Sequence, residues 1–244
     1  MIHDDSTVIG GSAGGFTPSF GANPIALQGA AVLSDISTSS LLSGTYIGKL
    51  CQGLADSLSG ANVTGMDVIK SCVSDLSSFW GVDNVKVCFE MGEPGVHFRG
   101  FTDSATDNWI GGDPAVLQQY ANQYGPNFIQ NVMAHEMGHF VFDQLGLINE
   151  GYPTISNEAV ADFLSGIYSG SKGLDPAGTV AFYSSLPDDP NGDYPSGEER
   201  AELFMEGYEI ANRYPWKDFE SILDSLDFNL RDSVHEIADR FVQS

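Results

Sequence analysis

Residues 130–166 read QNVMAHEMGHFVFDQLGLINEGYPTISNEAVADFLSG, and two parts of this stretch account for each other. The first part is HEMGH at 135–139, which lies in an apolar run with helical spacing. Because His135 and His139 are four residues apart, they project from one face of an α-helix and can reach the same ion. Glu136 stands beside them, where its carboxylate would take a proton from a metal-bound water rather than bind the metal.

A second helical segment supplies a third donor. A catalytic zinc ion usually has three protein ligands, so the histidine pair predicts another one nearby. Glu158 and Asp162 stand one turn apart on a helix that we expect Ser156 or Asn157 to cap. In this interpretation Glu158 is the third ligand, and Asp162 accepts the free N–H of one ligand histidine. The alternative for Asp162 is a solvated position, because helix carboxylates usually face water.

The spacing between the two segments favours close packing. Gly146 and the turn at 149–153 provide the reversal between the helices. Several small residues would let the second helix approach the first closely: Ala159, Ala161, Ser165 and Gly166. The competing metzincin pattern requires Gly and His where this chain has Phe142 and Leu145, so that pattern is excluded.

With these residues in hand, the chain resembles the gluzincin metallopeptidases. HExxH at 135–139 followed by NEAVAD at 157–162 is similar to the motif pair of thermolysin-like enzymes. The close spacing also resembles a smaller bacterial family of neutral zinc metallopeptidases. The likeness covers the chain from Val85 to the helix that begins near Ser196. It implies a zincin-like active-site helix, a zinc cofactor and a peptide or protein substrate.

The resemblance also implies residues that act on the substrate. Minimal gluzincins carry a His and, six residues later, an Arg on a serine-capped helix; this chain has Tyr194 and Arg200 at those positions, with a capping box beginning at Ser196. Tyr194 and Arg200 are therefore candidate catalytic donors to the oxyanion. A structural salt bridge is the alternative for Arg200. Tyr152, in the loop before Glu158, is a second candidate donor.

We therefore expect hydrolysis of peptide bonds by a zinc-activated water, with Glu136 as general base. Two alternatives stay open. The chain could be an inactive or latent zinc-binding module of the same fold that acts in protein interaction. It could also be a metal hydrolase that acts on a non-peptide amide.

Outside the motif region the pattern predicts an α+β class. Alternating residues over 85–90, a second extended run at 96–101 and the Trp109-Ile110 pair predict a small antiparallel sheet packed on a mainly helical body. By resemblance, the strand at 96–101 or the Trp109-Ile110 segment would line the substrate cleft by strand addition. Residues 1–24 are rich in glycine and serine and predict a flexible arm. Residues 25–244 predict one zincin-like metallopeptidase domain that ends in helices.

Composition limits the partners. The 10 basic and 33 acidic residues among 244 give a net charge of −23. So negative a surface repels phosphate, which argues against nucleic acid and anionic membranes. No apolar segment is long enough to span a membrane, and no leader pattern opens the chain. The compartment is left open, with a secreted or cell-surface location favoured.

The cysteines and one acidic turn each allow two interpretations. The three cysteines are Cys51, Cys72 and Cys88, and they form no metal-binding pattern. We expect buried thiols, with a Cys51–Cys72 bridge as the alternative. The acidic turn from Asp189 to Asp193 has the spacing of a calcium loop, but it lacks the required glycine and final glutamate. We interpret it mainly as a turn, and calcium remains an alternative second ion.

Overall fold

The structure is a computed structural model that describes residues 66–83, 85–89, 100–103, 107–112, 114–214, 216–225 and 228–242. The predicted arm at 1–24, the run at 96–99 and Cys51 lie outside these residues. The helices are α1 (Met66–Trp80), α2 (Pro114–Tyr124), α3 (Phe128–Gln144), α4 (Thr154–Lys172), α5 (Ala177–Ser184), α6 (Gly197–Arg213), α7 (Phe219–Leu223) and α8 (Leu230–Arg240), with a 3-10 turn at Leu147–Glu150. The strands are β1 (Val85–Phe89), β2 (Gly100–Asp103) and β3 (Asp107–Gly112).

Helices α3 and α4 form an antiparallel pair at the centre of the described fold. Asn131 near the start of α3 contacts Ser165 far along α4, and His139 near the end of α3 contacts Asn157 near the start of α4. Apolar residues occur on every side of α3, and most of its residues are buried. All residues from 158 to 170 of α4 are buried as well. Helices without a polar face are stable only when neighbours enclose them, and here α1, α2, α5, α6 and α8 do so.

Small residues set the distance between the central helices. A Cβ atom built on Gly138 of α3 would lie 2.8 Å from the Cα atom of Ala161 on α4. A Cβ atom on Gly166 of α4 would collide with the Phe204 carbonyl oxygen of α6, and one on Gly207 of α6 would collide with the backbone of α4. Of the small residues expected to face α3, Gly166 therefore packs against α6 instead.

The predicted α+β class with an antiparallel sheet is wrong. Helices account for most of the described residues, and the part that positions the site is helical. The short strands form a mixed arrangement in which β3 pairs parallel with β1 and antiparallel with β2. The alternation over 85–90 reports locally extended backbone, but it carries no information on strand direction or on which elements build the core.

The start of α6 agrees with the sequence prediction, whereas the start of α4 does not. The capping box at Ser196 is confirmed: its hydroxyl accepts from the Glu199 N–H, and the Glu199 carboxylate accepts the Ser196 N–H. In contrast, α4 begins at Thr154, directly after Pro153, so the predicted cap at Ser156 or Asn157 is wrong. The Ser156 hydroxyl instead donates to the Ala238 carbonyl of α8 at 2.7 Å. Asn157 therefore lies inside the first turns of α4.

Two remaining expectations concern membranes and cysteines. None of the described helices combines the length and the apolar character that a membrane crossing requires. Cys72 is a free, buried thiol in α1. Burial, and to a lesser extent the negative charge of Asp75, raises the pKa of this thiol to about 11. A thiol with so high a pKa is a packing group rather than a nucleophile.

Candidate metal centre

His135 is held from behind by a carboxylate. It projects from α3 with its Nδ1 atom 2.8 Å from Asp162 Oδ1 on α4. Because an ionised carboxylate only accepts hydrogen bonds, Nδ1 carries the proton and donates it. The other ring nitrogen, Nε2, lies 3.2 Å from Glu158 Oε2. The ring is thereby fixed with Nε2 directed at the third predicted ligand.

His139 is held in the same manner by an amide. Its Nδ1 atom lies 3.0 Å from Asn157 Oδ1, and its Nε2 atom lies 3.7 Å from Glu158 Oε1. An amide oxygen only accepts, so Nδ1 again carries the proton. The sequence interpretation missed this role, because it assigned Asn157 to the helix cap. The signal that could have found it is the position of Asn157 beside Glu158, on the turn nearest His139.

The predicted ligands converge. The two oxygens of Glu158 each face one histidine Nε2 atom, and the rings of His135 and His139 meet edge to face with centroids 4.9 Å apart. The carboxylate of Glu136, the predicted base, lies beside the histidines: one oxygen of Glu136 and one ring nitrogen each of His135 and His139 lie within 4.8 Å of one another. Two imidazole nitrogens and a carboxylate on neighbouring helices are the donor set that zinc takes in catalytic sites. The residues present therefore fit a zinc ion.

The electrostatics of the cluster favour a cation. Burial lowers the pKa of His135, but the charges of Asp162 and Glu158 and their hydrogen bonds outweigh burial and raise the pKa to about 10. Burial raises the pKa of Glu158, yet the neighbouring His139 and His135 bring the pKa below its ordinary value. The same negative charge that favours a proton on His135 would also favour a divalent cation between these atoms.

Asp162 is buried and accepts from two side chains, His135 and Arg200. Arg200 donates to it through two nitrogens, at 2.7 and 3.0 Å. The Arg200 guanidinium lies 4.7 Å from the centre of the Tyr183 ring. Burial raises the pKa of Asp162, but Arg200 and His135 hold it well below the ordinary carboxyl value. Asp162 thus carries a negative charge behind His135 and does not face water.

The predicted substrate-facing residues occupy different places. The guanidinium of Arg200 forms a salt bridge with Asp162, which is the structural alternative that the sequence left open for Arg200. Tyr194 is half-buried with its ring 5.6 Å from Arg200 Cζ. Burial raises the pKa of the Tyr194 phenol above its ordinary value, and the charges of Glu158 and Glu136 add to that rise. Its hydroxyl therefore lies in the electrostatic field of the site carboxylates.

Tyr152 and the acidic turn are engaged elsewhere. The Tyr152 hydroxyl donates to Asp239 Oδ1 at 3.0 Å and lies 3.1 Å from His235 Nδ1, both on α8. Tyr152 is therefore not placed as a donor to the site. The Asp189 carboxylate accepts the backbone N–H groups of Asn191 and Asp193, which makes it a turn former.

Comparisons with known proteins returned nothing. No family model, no curated protein and no solved structure matched this chain. The resemblance to gluzincins therefore stays a prediction from the motif residues.

Proposed function

We propose that this chain is a zinc-dependent metallopeptidase of the gluzincin type that hydrolyses peptide bonds. The observation that carries the proposal is the convergence of His135 Nε2, His139 Nε2 and the Glu158 carboxylate. Further support comes from the acceptors behind both rings, which fix the tautomer that leaves each Nε2 as a ligand.

Each residue of the cluster has a distinct chemical task. A zinc ion held by these donors would supply a bound water of lowered pKa and a positive charge beside the scissile carbonyl. Glu136 is 4% exposed and would take the proton of the attacking water, then give it to the leaving amine nitrogen. No covalent link to the protein is needed.

Tyr194 is the candidate donor to the oxygen that gains negative charge. A tyrosine phenol is protonated at neutral pH, and burial raises the pKa of Tyr194 further, so its hydroxyl can donate a hydrogen bond. Arg200, in this proposal, acts through Asp162: it holds the carboxylate that orients His135 and does not touch the substrate.

The test is zinc analysis combined with digestion of a peptide library. Glu136→Gln should retain stoichiometric zinc and lose about 100- to 10,000-fold in kcat, because the base is removed while the ligands stay. His139→Ala should lose the zinc itself. Glu150→Gln is the matched control, because it makes the same change at an exposed carboxylate outside the cluster, and its turnover should equal that of the wild type.

Two results would contradict the proposal. Unchanged turnover in Glu136→Gln would remove Glu136 from the mechanism. A zinc-loaded wild type that cleaves no library peptide, before and after trimming of the N-terminal residues, would identify an inactive module or a hydrolase of another amide.

A further inference from the structure

A buried polar cluster lies one helical turn before His135. It consists of Asn131 on α3, Ser165 and Ser169 on α4, and Thr179 on α5, and we refer to it as the Asn131 cluster. Asn131 Nδ2 donates to the Thr179 hydroxyl at 2.6 Å, and the Ser169 hydroxyl donates to Asn131 Oδ1 at 2.6 Å. The Ser165 hydroxyl donates to the Asn131 backbone carbonyl at 2.7 Å. Three helices therefore meet through specific hydrogen bonds.

The cluster is enclosed and separate from the reacting groups. Asn131, Ser165 and Ser169 are 0% exposed, and Thr179 is 1% exposed. None of the hydrogen bonds that the structure shows for these four residues reaches a member of the metal centre. Buried hydrogen bonds between neutral groups add little net stability compared with apolar groups of the same shape. Stability alone is thus a weak reason for four polar residues at the centre of a helix pair.

Register is a stronger reason. Contacts between the antiparallel helices run from Asn131–Ser165 through His135–Asp162 to His139–Glu158. A slide of one helix by a single turn, about 5.4 Å, would separate both histidines from their acceptors. The rest of this interface is apolar or small, as at Gly138, and such surfaces tolerate more than one packing. The Asn131 hydrogen bonds are satisfied in one register only.

The cluster also reaches the back of the metal centre through α5. Thr179 and Tyr183 are one turn apart on that helix, so they share a face. Thr179 accepts a hydrogen bond from Asn131, while the Tyr183 ring lies 4.7 Å from the Arg200 guanidinium, which pairs with Asp162. The position of α5 on α3 therefore also determines where Tyr183 packs against the partner of the carboxylate behind His135.

We propose that the Asn131 cluster is a register lock for the metal centre. It fixes α3 against α4 and α5 so that His135 meets Asp162 and His139 meets Asn157. Asn131 is thus a positioning residue, which acts through α3 and does not contact the metal or the substrate. The part of this proposal that concerns zinc affinity rests on the proposed function, whereas the part that concerns helix register does not.

The test replaces the side-chain network by apolar groups of similar size. The triple variant Asn131→Leu, Ser169→Ala and Thr179→Val removes the Asn131 side chain together with the two hydroxyls that bond to it, so none of these three groups is left unpaired. The fourth member, the Ser165 hydroxyl, keeps its bond to the backbone carbonyl of residue 131. We expect an unfolding midpoint at or above that of the wild type. NMR of the protein without added metal should show the hydrogen-bonded Nδ1–H protons of His135 and His139 as sharp downfield signals in the wild type, and broadened or lost in the triple variant. Zinc affinity, from competition with a chromophoric chelator, should fall about tenfold or more.

Two control variants separate register from packing. Thr179→Ser keeps the hydroxyl that Asn131 uses, and Met133→Leu changes the size and shape of a buried apolar side chain on α3 without touching the cluster. Both should keep the two imidazole signals and the zinc affinity of the wild type.

Three outcomes overturn the proposal. The first is a triple variant that keeps both imidazole signals at wild-type width. The second is a triple variant that unfolds or is clearly destabilised, because the cluster would then act mainly in stability. The third is a wild type without the two signals. If zinc fails to bind the wild type while the signals behave as expected, the proposed function fails and the register lock stands.

Discussion

Asp162 determines how His135 is oriented although it lies behind the reacting groups. It accepts from His135 on α3 and from Arg200 on α6, so its partners come from two different helices. The sequence predicted a ligand histidine as its partner, without specifying which one, because Asp162 stands one turn after Glu158. The second partner appeared only as a salt bridge of unspecified partner, because no local pattern links Arg200 to a carboxylate 38 residues earlier.

Replacement of Asp162 should affect stability and metal binding together. Asp162→Asn leaves Arg200, whose side chain is only 11% exposed, without its paired carboxylate, and breaking such a pair typically costs about 3–5 kcal/mol of unfolding free energy. Zinc affinity should also fall, by about 10- to 100-fold, because His135 loses its charged acceptor. Denaturant unfolding and zinc competition measure the two effects.

Asn157→Ala provides the comparison for that variant. This substitution removes the hydrogen-bond acceptor of His139, so zinc affinity should fall by a similar factor. Because no charged group loses its partner, the unfolding free energy should change by only about 1 kcal/mol. If Asp162→Asn is as stable as the wild type, the salt bridge between Asp162 and Arg200 does not contribute to stability as expected.

Removal of the hydroxyl group should lower activity at Tyr194 but not at Tyr152. Tyr194→Phe keeps the ring beside Arg200 and deletes the hydroxyl, so kcat/KM should fall about 100- to 1,000-fold with zinc content unchanged. Tyr152→Phe deletes a hydroxyl that bonds to α8, and its kcat/KM should stay at the wild-type value. Steady-state kinetics on one peptide substrate distinguish them, and the reverse pattern would make Tyr152 the donor.

At the scale of elements, the two ligand helices and the serine-capped helix α6 were predictable, whereas the start of α4 and the packing partners of the helices were not. Apolar spacing around His135 and the repeat of Glu158 and Asp162 mark both helices in the sequence. The start of α4 was misplaced because Ser156 has the chemistry of a cap, yet its hydroxyl bonds to α8. Small residues indicate close packing, but they do not identify the partner, which is why Gly166 was assigned to the wrong helix.

The closeness of α3 and α4 leads to a prediction at Gly138. Gly138→Ala would gain about 0.5–1 kcal/mol of helix propensity in isolation. Its Cβ would meet the backbone of Ala161, and overpacking of this kind costs about 1–3 kcal/mol. We expect a net loss of stability and weaker zinc binding, because the helices that carry the ligands must separate.

A second substitution tests the cause. Ala161→Gly in the Gly138→Ala background removes a methyl group from the same contact and should restore part of the zinc affinity. Thermal unfolding and zinc competition provide the measurements. A Gly138→Ala protein that is stabilised and binds zinc normally would mean that the helices are not in contact there.

At the scale of the whole molecule, motif residues were easier to predict than architecture. The sequence placed the candidate ligands because one turn of helix is a local, fixed geometry. It misjudged the fold class because strand direction and the elements that build the core depend on contacts between distant segments. Two features depend on such distant contacts. They are the mixed pairing of β1, β2 and β3 and the enclosure of α3 by helices.

A crystal structure of the zinc-loaded protein, with anomalous differences recorded on both sides of the zinc edge, would locate the ion among the three proposed ligands. We expect one strong peak bonded to His135 Nε2, His139 Nε2 and the Glu158 carboxylate. A zinc peak that Glu158 does not contact, or no peak near the two histidines at saturating zinc, would contradict the proposed metal centre.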